Sequence, residues 1–177
     1  MRRIRYSVAM SLDGYIAGPN GEFDWIDMEP SDGAEYFKAF YAQFDTAIMG
    51  RKSFELAKSA VAPLTTYVVS RTLPAGKLRD VTVLGEDALE RIAELREQPG
   101  KDIWLWGGGE LFGSLARAGL VDTVELGVIP VMLGTARKVM AGCDRRIKLM
   151  PRPTSLELLG VALLTYDVEQ TELKRMA

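Results

Sequence analysis

Three consecutive glycines close a run of apolar and aromatic residues in Asp102-Ile103-Trp104-Leu105-Trp106-Gly107-Gly108-Gly109-Glu110-Leu111-Phe112, and a helical pattern through Leu115, Ala116 and Leu120 follows at once. The spacing predicts a buried strand, a tight turn and a helix start. Glycine in such a turn permits positive φ and leaves no Cβ between the backbone amides and a ligand. The helix N-terminus adds unpaired N–H groups and a partial positive charge. A phosphate or pyrophosphate fits this turn; a packing turn that merely needs glycine is the plainer reading. The motif is neither of the two commonest phosphate loops. A P-loop closes on Lys-Ser or Lys-Thr where Glu110-Leu111 stand, and the dinucleotide fingerprint needs glycine where Phe112 stands.

Two further strand ends carry cations and hydroxyls. Thr46-Ala47-Ile48-Met49-Gly50 runs into Arg51-Lys52-Ser53, and Thr65-Thr66-Tyr67-Val68-Val69 into Ser70-Arg71. Cations at a helix N-terminus oppose its dipole unless an anion lies between them, so Arg51 and Lys52 read as a second phosphate contact or else as a solvated pair. The chain has no histidine and one cysteine, Cys143. These absences exclude Ser-His-Asp and Cys-His nucleophiles, His-ligated zinc, Cys-x-x-Cys redox chemistry and an intramolecular disulfide. No metal site is expected. Carboxylates, tyrosines, lysines and water remain for proton transfer, and a cofactor could carry the harder step.

The elements that must position these groups alternate along the chain. Residues 4–10 read as a first, central strand. Residues 11–25, rich in Gly, Pro and Asn but holding Ile16, Phe23 and Trp25, form a long loop suited to closing over a ligand. A helix follows, capped near Ser31 or Asp32 and running through Tyr36, Phe37, Phe40, Tyr41 and Phe44, with Asp32 and Glu35 in its first turn. Residues 80–85 form a strand and 87–97 an amphipathic helix stopped at Gln98-Pro99-Gly100. After the glycine run, Asp122 to Val131 forms a strand broken at Pro130, residues 132–153 are irregular, and Ser155 to Val168 forms a hairpin around Gly160.

This order predicts one α/β domain over residues 1–177, a mostly parallel sheet with an antiparallel C-terminal hairpin. With 47% hydrophobic and 26% charged residues and a net charge of −2, the composition is that of a soluble globular protein, and suggests neither a nucleic-acid groove nor a membrane patch. No signal peptide or membrane span is evident, so a cytoplasmic location is expected. In parallel sheets ligands bind beyond the carboxyl ends of the strands, where Gly50 to Ser53, Ser70-Arg71, Gly85 and Gly107 to Gly109 all fall. The implied ligand is long and multiply phosphorylated. A 2′-phosphorylated dinucleotide meets that description, and NADPH is the expected cofactor. At ~1.5–3 kcal/mol for each charge-assisted bond from Arg51 and Arg71, NADPH should exceed NADH in affinity by roughly two orders of magnitude.

Met10-Ser11-Leu12-Asp13-Gly14-Tyr15-Ile16-Ala17, Met49 to Glu55, Val69-Ser70-Arg71, Gly107 to Leu111 and Pro130 to Gly134 together resemble the dihydrofolate reductase superfamily. Within it the chain is most similar to the branch of the reductase domain of bacterial riboflavin biosynthesis. The resemblance implies that family's three-layer fold. It implies that Ala9 and Ile16 line the nicotinamide pocket, that residues 18–25 close it, and that Gly50, Arg51, Lys52, Ser53, Ser70 and Arg71 hold the adenosine phosphate. Gly107, Gly108, Gly109, Glu110 and Leu111 would hold the pyrophosphate, with a cis peptide at Gly107-Gly108. The family's first-helix acid would fall at Ala34 or Glu35.

The expected activity is hydride transfer to a C=N or C=O of a pterin-like or pyrimidine-like heterocycle lying between Trp25, Tyr36, Phe37 and Phe40. The accompanying proton would come from Glu35, Asp32 or water. A non-catalytic nucleotide-binding protein of the same fold is the alternative. A homodimer is expected from the resemblance and from the apolar C-terminal hairpin edge.

Overall fold

The computed structural model describes residues 1–27, 33–153, 156–158 and 160–169. The chain runs β1 (Ile4–Ser11), β2 (Tyr15–Ala17), α1 (Ala34–Tyr41), β3 (Phe44–Gly50), α2 (Arg51–Ala57), β4 (Thr65–Val69), β5 (Gly76–Leu78), β6 (Val81–Leu84), α3 (Ala88–Glu97) and β7 (Asp102–Gly107). It continues through α4 (Gly109–Arg117), β8 (Thr123–Ile129), β9 (Arg137–Lys138), β10 (Leu149–Pro151), β11 (Leu156–Leu158) and β12 (Val161–Val168). The main sheet has the order β10-β12-β8-β1-β7-β3-β4-β6-β5, with β11 also on β12. Its centre, β8-β1-β7-β3-β4-β6, is parallel throughout; β5, β10, β11 and β12 are the antiparallel additions.

Strand period places alternate residues on opposite faces. Ile4 and Tyr6 of β1 join Ile48, Ile103, Leu105 and Val124 in a core that Ile92 and Leu95 of α3 and Leu111, Phe112 and Leu115 of α4 cover. Tyr6 stacks on Phe112 at 4.0 Å between centroids, and burial raises its pKa. On the opposite face Phe40 of α1 packs with Phe44, Ala47 and Trp104, and Phe54 of α2 with Met49, Val68, Val81 and Val83. The result is three layers, helices on both faces of one sheet.

The structure differs from the sequence expectation at several boundaries. Helix α1 ends at Tyr41, and Phe44 opens β3 instead, because its ring is needed in the core against Phe40 and Trp104. The residue preceding the helix is Gly33 at φ 65, while the expected caps Ser31 and Asp32 lie outside the described residues, as does Ser155 of the hairpin. Strand β4, by contrast, ends at Val69 as expected, and Ser70 starts a turn, its hydroxyl accepting the N–H groups of Thr72 (3.1 Å) and Leu73 (2.9 Å). Residues 132–153 are less irregular than expected. They include β10 on the sheet edge and β9, which pairs with β2 inside the long N-terminal loop. The expected cis peptide at Gly107-Gly108 is absent; the turn there is made by Gly108 at φ 100, and the cis bond among the described residues is Ala62-Pro63. No helix among the described residues is long and apolar enough to cross a membrane.

Candidate functional site

Parallel strands bring Gly50, Ser70, Gly85 and Gly107 to one edge of the sheet, each before a turn or helix start. A cleft of about 1480 Å³ follows that edge and folds over onto the α1 face. Ala9, Ile16, Gly50, Arg51, Lys52, Ser53, Ser70, Arg71, Gly107, Gly108, Gly109, Glu110 and Leu111 line it, and Tyr36, Phe37 and Phe40 line its other end. Trp25 and Glu35 are not among its lining residues: Glu35 is exposed on α1, and the Trp25 indole donates to the Glu22 carbonyl at 3.2 Å. Asp32 lies outside the described residues. No cluster of His, Cys, Asp and Glu among the described residues could hold a metal.

At one end stands the N-terminus of α4. Its first intrahelical bond runs from the Phe112 N–H to the Gly108 carbonyl at 2.9 Å, so the N–H groups of Gly109, Glu110 and Leu111 precede any helical partner. The glycines set close approaches. A Cβ at Gly107 would stand 3.3 Å from Ser53 Oγ, and one at Gly109 would collide with the Lys138 carbonyl oxygen and meet that of Val139 at 3.2 Å. The cations at this end hold carboxylates: Arg51 pairs with Glu55 at 2.5 Å and Lys52 with Glu110 at 3.6 Å. These pairs answer the dipole conflict read from the sequence. Being exposed, each is worth only ~0–1 kcal/mol and yields readily to a stronger anion. Ser70 is buried and its hydroxyl belongs to the turn; Arg71 is exposed.

The other end is aromatic. Ser7 and Ala9 of β1, Gly127 of β8 and Leu163 of β12 lie on adjacent strands and contribute to its wall, as do Tyr36, Phe37 and Phe40 of α1 and Trp104 and Trp106 of β7. Phe40 meets Trp104 edge-on at 5.3 Å, and the Trp104 indole is fixed by donating to the Ser7 carbonyl at 3.0 Å. A side pocket of about 190 Å³ shares Ser7, Tyr36, Phe40, Gly127 and Leu163 with this chamber and adds Arg5, Gln43, Glu125 and Thr165. Arg5 donates from Nε to Glu125 (2.8 Å), with Nη2 2.7 Å from the same carboxylate as an ion pair, and from Nη1 to Gln43 (2.7 Å) and Asp102 (3.3 Å), with its guanidinium 4.6 Å from the Phe44 ring centre. Both Arg5 contacts with Glu125 fall on Oε1. Burial, reinforced by Glu125 and opposed by Arg5, raises the Tyr36 pKa. Sequence reading missed Arg5 and Glu125. The available signal was a charged residue at an alternating position inside each of two apolar strands.

The loop over the cleft is anchored at its base. Asp13 accepts the N–H groups of Leu133 (3.1 Å) and Gly134 (2.7 Å) and the Ser11 hydroxyl (2.6 Å). These bonds, the Ser11 hydroxyl first, hold its pKa below the ordinary value.

The sequence profile of the RibD C-terminal domain matches residues 2–165. The uncharacterized protein YyaP of Bacillus subtilis strain 168 is 35% identical over 182 aligned positions, covering 93% of this chain and 94% of its own. Among solved structures, a pyrimidine reductase-like protein of Corynebacterium diphtheriae superposes with a TM-score of 0.72 at 14% identity, covering 96% of this chain and 93% of its own. The dihydrofolate reductase of Enterococcus faecalis, solved with NADP(H), gives 0.65 at 20% identity over 94% and 96%. These two establish a shared fold.

Proposed function

The chain belongs to the RibD C-terminal domain family, and from that premise we propose that it is an NADPH-dependent reductase of a small pterin-like or pyrimidine-like heterocycle. The observation that carries the proposal is the single cleft that joins a glycine-built, cation-rimmed helix N-terminus to an aromatic chamber with a polar side pocket. The residues fit the cofactor: a helix N-terminus whose Gly109, Glu110 and Leu111 N–H groups precede any helical partner, and Arg51, Lys52 and Arg71 on the rim. Bound NADPH would supply a hydride.

Gly109, Glu110 and Leu111 would donate their N–H groups to the pyrophosphate, and Arg51 and Arg71 would grip the 2′-phosphate. Ala9 and Ile16 would flank the nicotinamide. Tyr36, Phe37 and Phe40 would hold the acceptor ring flat and keep water from it. Glu125 Oε2 would accept from a ring N–H or amino group. With Glu35 outside the cleft, the proton that accompanies hydride would come from the Tyr36 phenol or from water held between Tyr36 and Glu125.

Titration with NADPH and NADH, following the fluorescence of Trp104 and Trp106, tests the proposal. Saturable binding with roughly 100-fold preference for NADPH is expected, and Arg51→Ala with Arg71→Ala should abolish the preference. Absence of binding by either dinucleotide overturns it.

A further inference from the structure

Six arginines among the described residues are at least partly withdrawn from solvent: Arg2, Arg3, Arg5, Arg51, Arg96 and Arg137. Five hold a carboxylate. Arg2 pairs with Asp45, Arg3 with Asp167, Arg5 with Glu125, Arg51 with Glu55 and Arg96 with Asp122. Arg137 has neither an ion pair nor a side-chain hydrogen bond among the described residues, yet it lines the cleft. A partly buried guanidinium that lines a cleft and has no protein acceptor keeps its donors free for an anionic ligand.

Its surroundings say which anion. The next residue, Lys138, carries the carbonyl that packs against Gly109, so β9 runs beside the α4 N-terminus. The Arg137 side chain extends from there to the loop and α2: a Cβ built on Gly21 would stand 3.5 Å from both Arg137 Nη2 and Leu56 Cδ1. Arg137 thus links the helix end, the loop and α2. We infer that Arg137 binds the pyrophosphate of the dinucleotide and, because its side chain lies beside Gly21, ties the loop at residues 18–25 to the bound ligand. This rests on the dinucleotide reading proposed above. It also identifies a basic group in a stretch, residues 132–153, that sequence alone reads as irregular.

The pyrophosphate is common to NADPH and NADH, whereas the 2′-phosphate is not, and this separates Arg137 from Arg51 and Arg71. Arg137→Gln should weaken both dinucleotides by the same factor, ~10- to 100-fold, leaving their ratio unchanged, and Arg137→Lys should restore part of the loss. Chymotrypsin cleavage after Phe23, which is 59% exposed on the loop, gives a second readout. NADPH should slow it in the wild type and fail to do so in Arg137→Gln. Unaltered binding of both dinucleotides by a folded Arg137→Gln variant would falsify the inference. A loss confined to NADPH overturns it in favour of a 2′-phosphate contact. If the wild type binds neither dinucleotide, the reductase reading itself fails first.

Discussion

Gly109→Ala tests the construction of the cleft at its tightest point. A Cβ there collides with the Lys138 carbonyl oxygen and lies 3.2 Å from that of Val139, and both obstacles are backbone that no rotamer change can clear. Relief needs α4 and β9 to part by something approaching 1 Å, which stretches the Ala141 N–H bond to the Gly109 carbonyl, now 3.0 Å. Overpacking of this kind costs ~1–3 kcal/mol, and replacing Gly by Ala at a helix position recovers at most ~1 kcal/mol. With a net cost of ~1–2 kcal/mol, the middle of that range, a chain of this size has a Tm lower by roughly 2–8 °C. Displacing the helix end also misaligns its free N–H groups, so Kd for NADPH should rise ~10-fold or more. Gly50→Ala is the control. Gly50 has φ −78 and a Cβ there would meet nothing within 4 Å, so its Tm should stay within ~2 °C of wild type. Thermal melts with dinucleotide titration measure both variants. A Gly109→Ala protein with wild-type Tm and wild-type Kd would refute the claim that glycine is required here by contact.

Asp13 has a folded-state pKa below its unfolded value, so its contribution is complete above the unfolded carboxylate pKa, ~4, and is lost as pH falls through the lower folded value. Asp13→Asn should be less stable than wild type at pH 7 and should lose less further stability on acidification, read as Tm against pH from 3 to 7; parallel curves would remove Asp13 from the acid limb. Glu125→Gln should lower turnover of an accepted heterocycle by ~100-fold while leaving Kd for NADPH unchanged, since the side pocket lies at the end of the cleft away from the glycines. Undiminished turnover would exclude Glu125 from the reaction.

Features written locally in the chain were legible. β-Branched runs punctuated by glycine gave β3, β4, β6 and β7, and parallel pairing then required Gly50, Ser70, Gly85 and Gly107 to share an edge. What depended on rotation or distant pairing was not. The resemblance puts the first-helix acid at Ala34 or Glu35, but which way Glu35 points depends on where the turn at Gly33 starts α1, and there it is exposed. Arg5 and Glu125 meet from 120 residues apart, through the register of β1 beside β8. Arg137 reaches the cleft only because β9 pairs with β2, a two-residue ladder with no periodicity to announce it.

The Lys52–Glu110 pair places a carboxylate at the mouth of the proposed phosphate site. Any arriving phosphate therefore enters by exchange rather than by simple addition. The exchange costs a small ion such as inorganic phosphate only the ~0–1 kcal/mol of an exposed pair, but such an ion has few other contacts to set against the tethered carboxylate. A dinucleotide, anchored at several other points along the cleft, can displace it and keep the gain. On the dinucleotide reading, Glu110 would oppose every anion at this end by the same small amount, which a ligand held along the whole cleft offsets more easily than a small ion does.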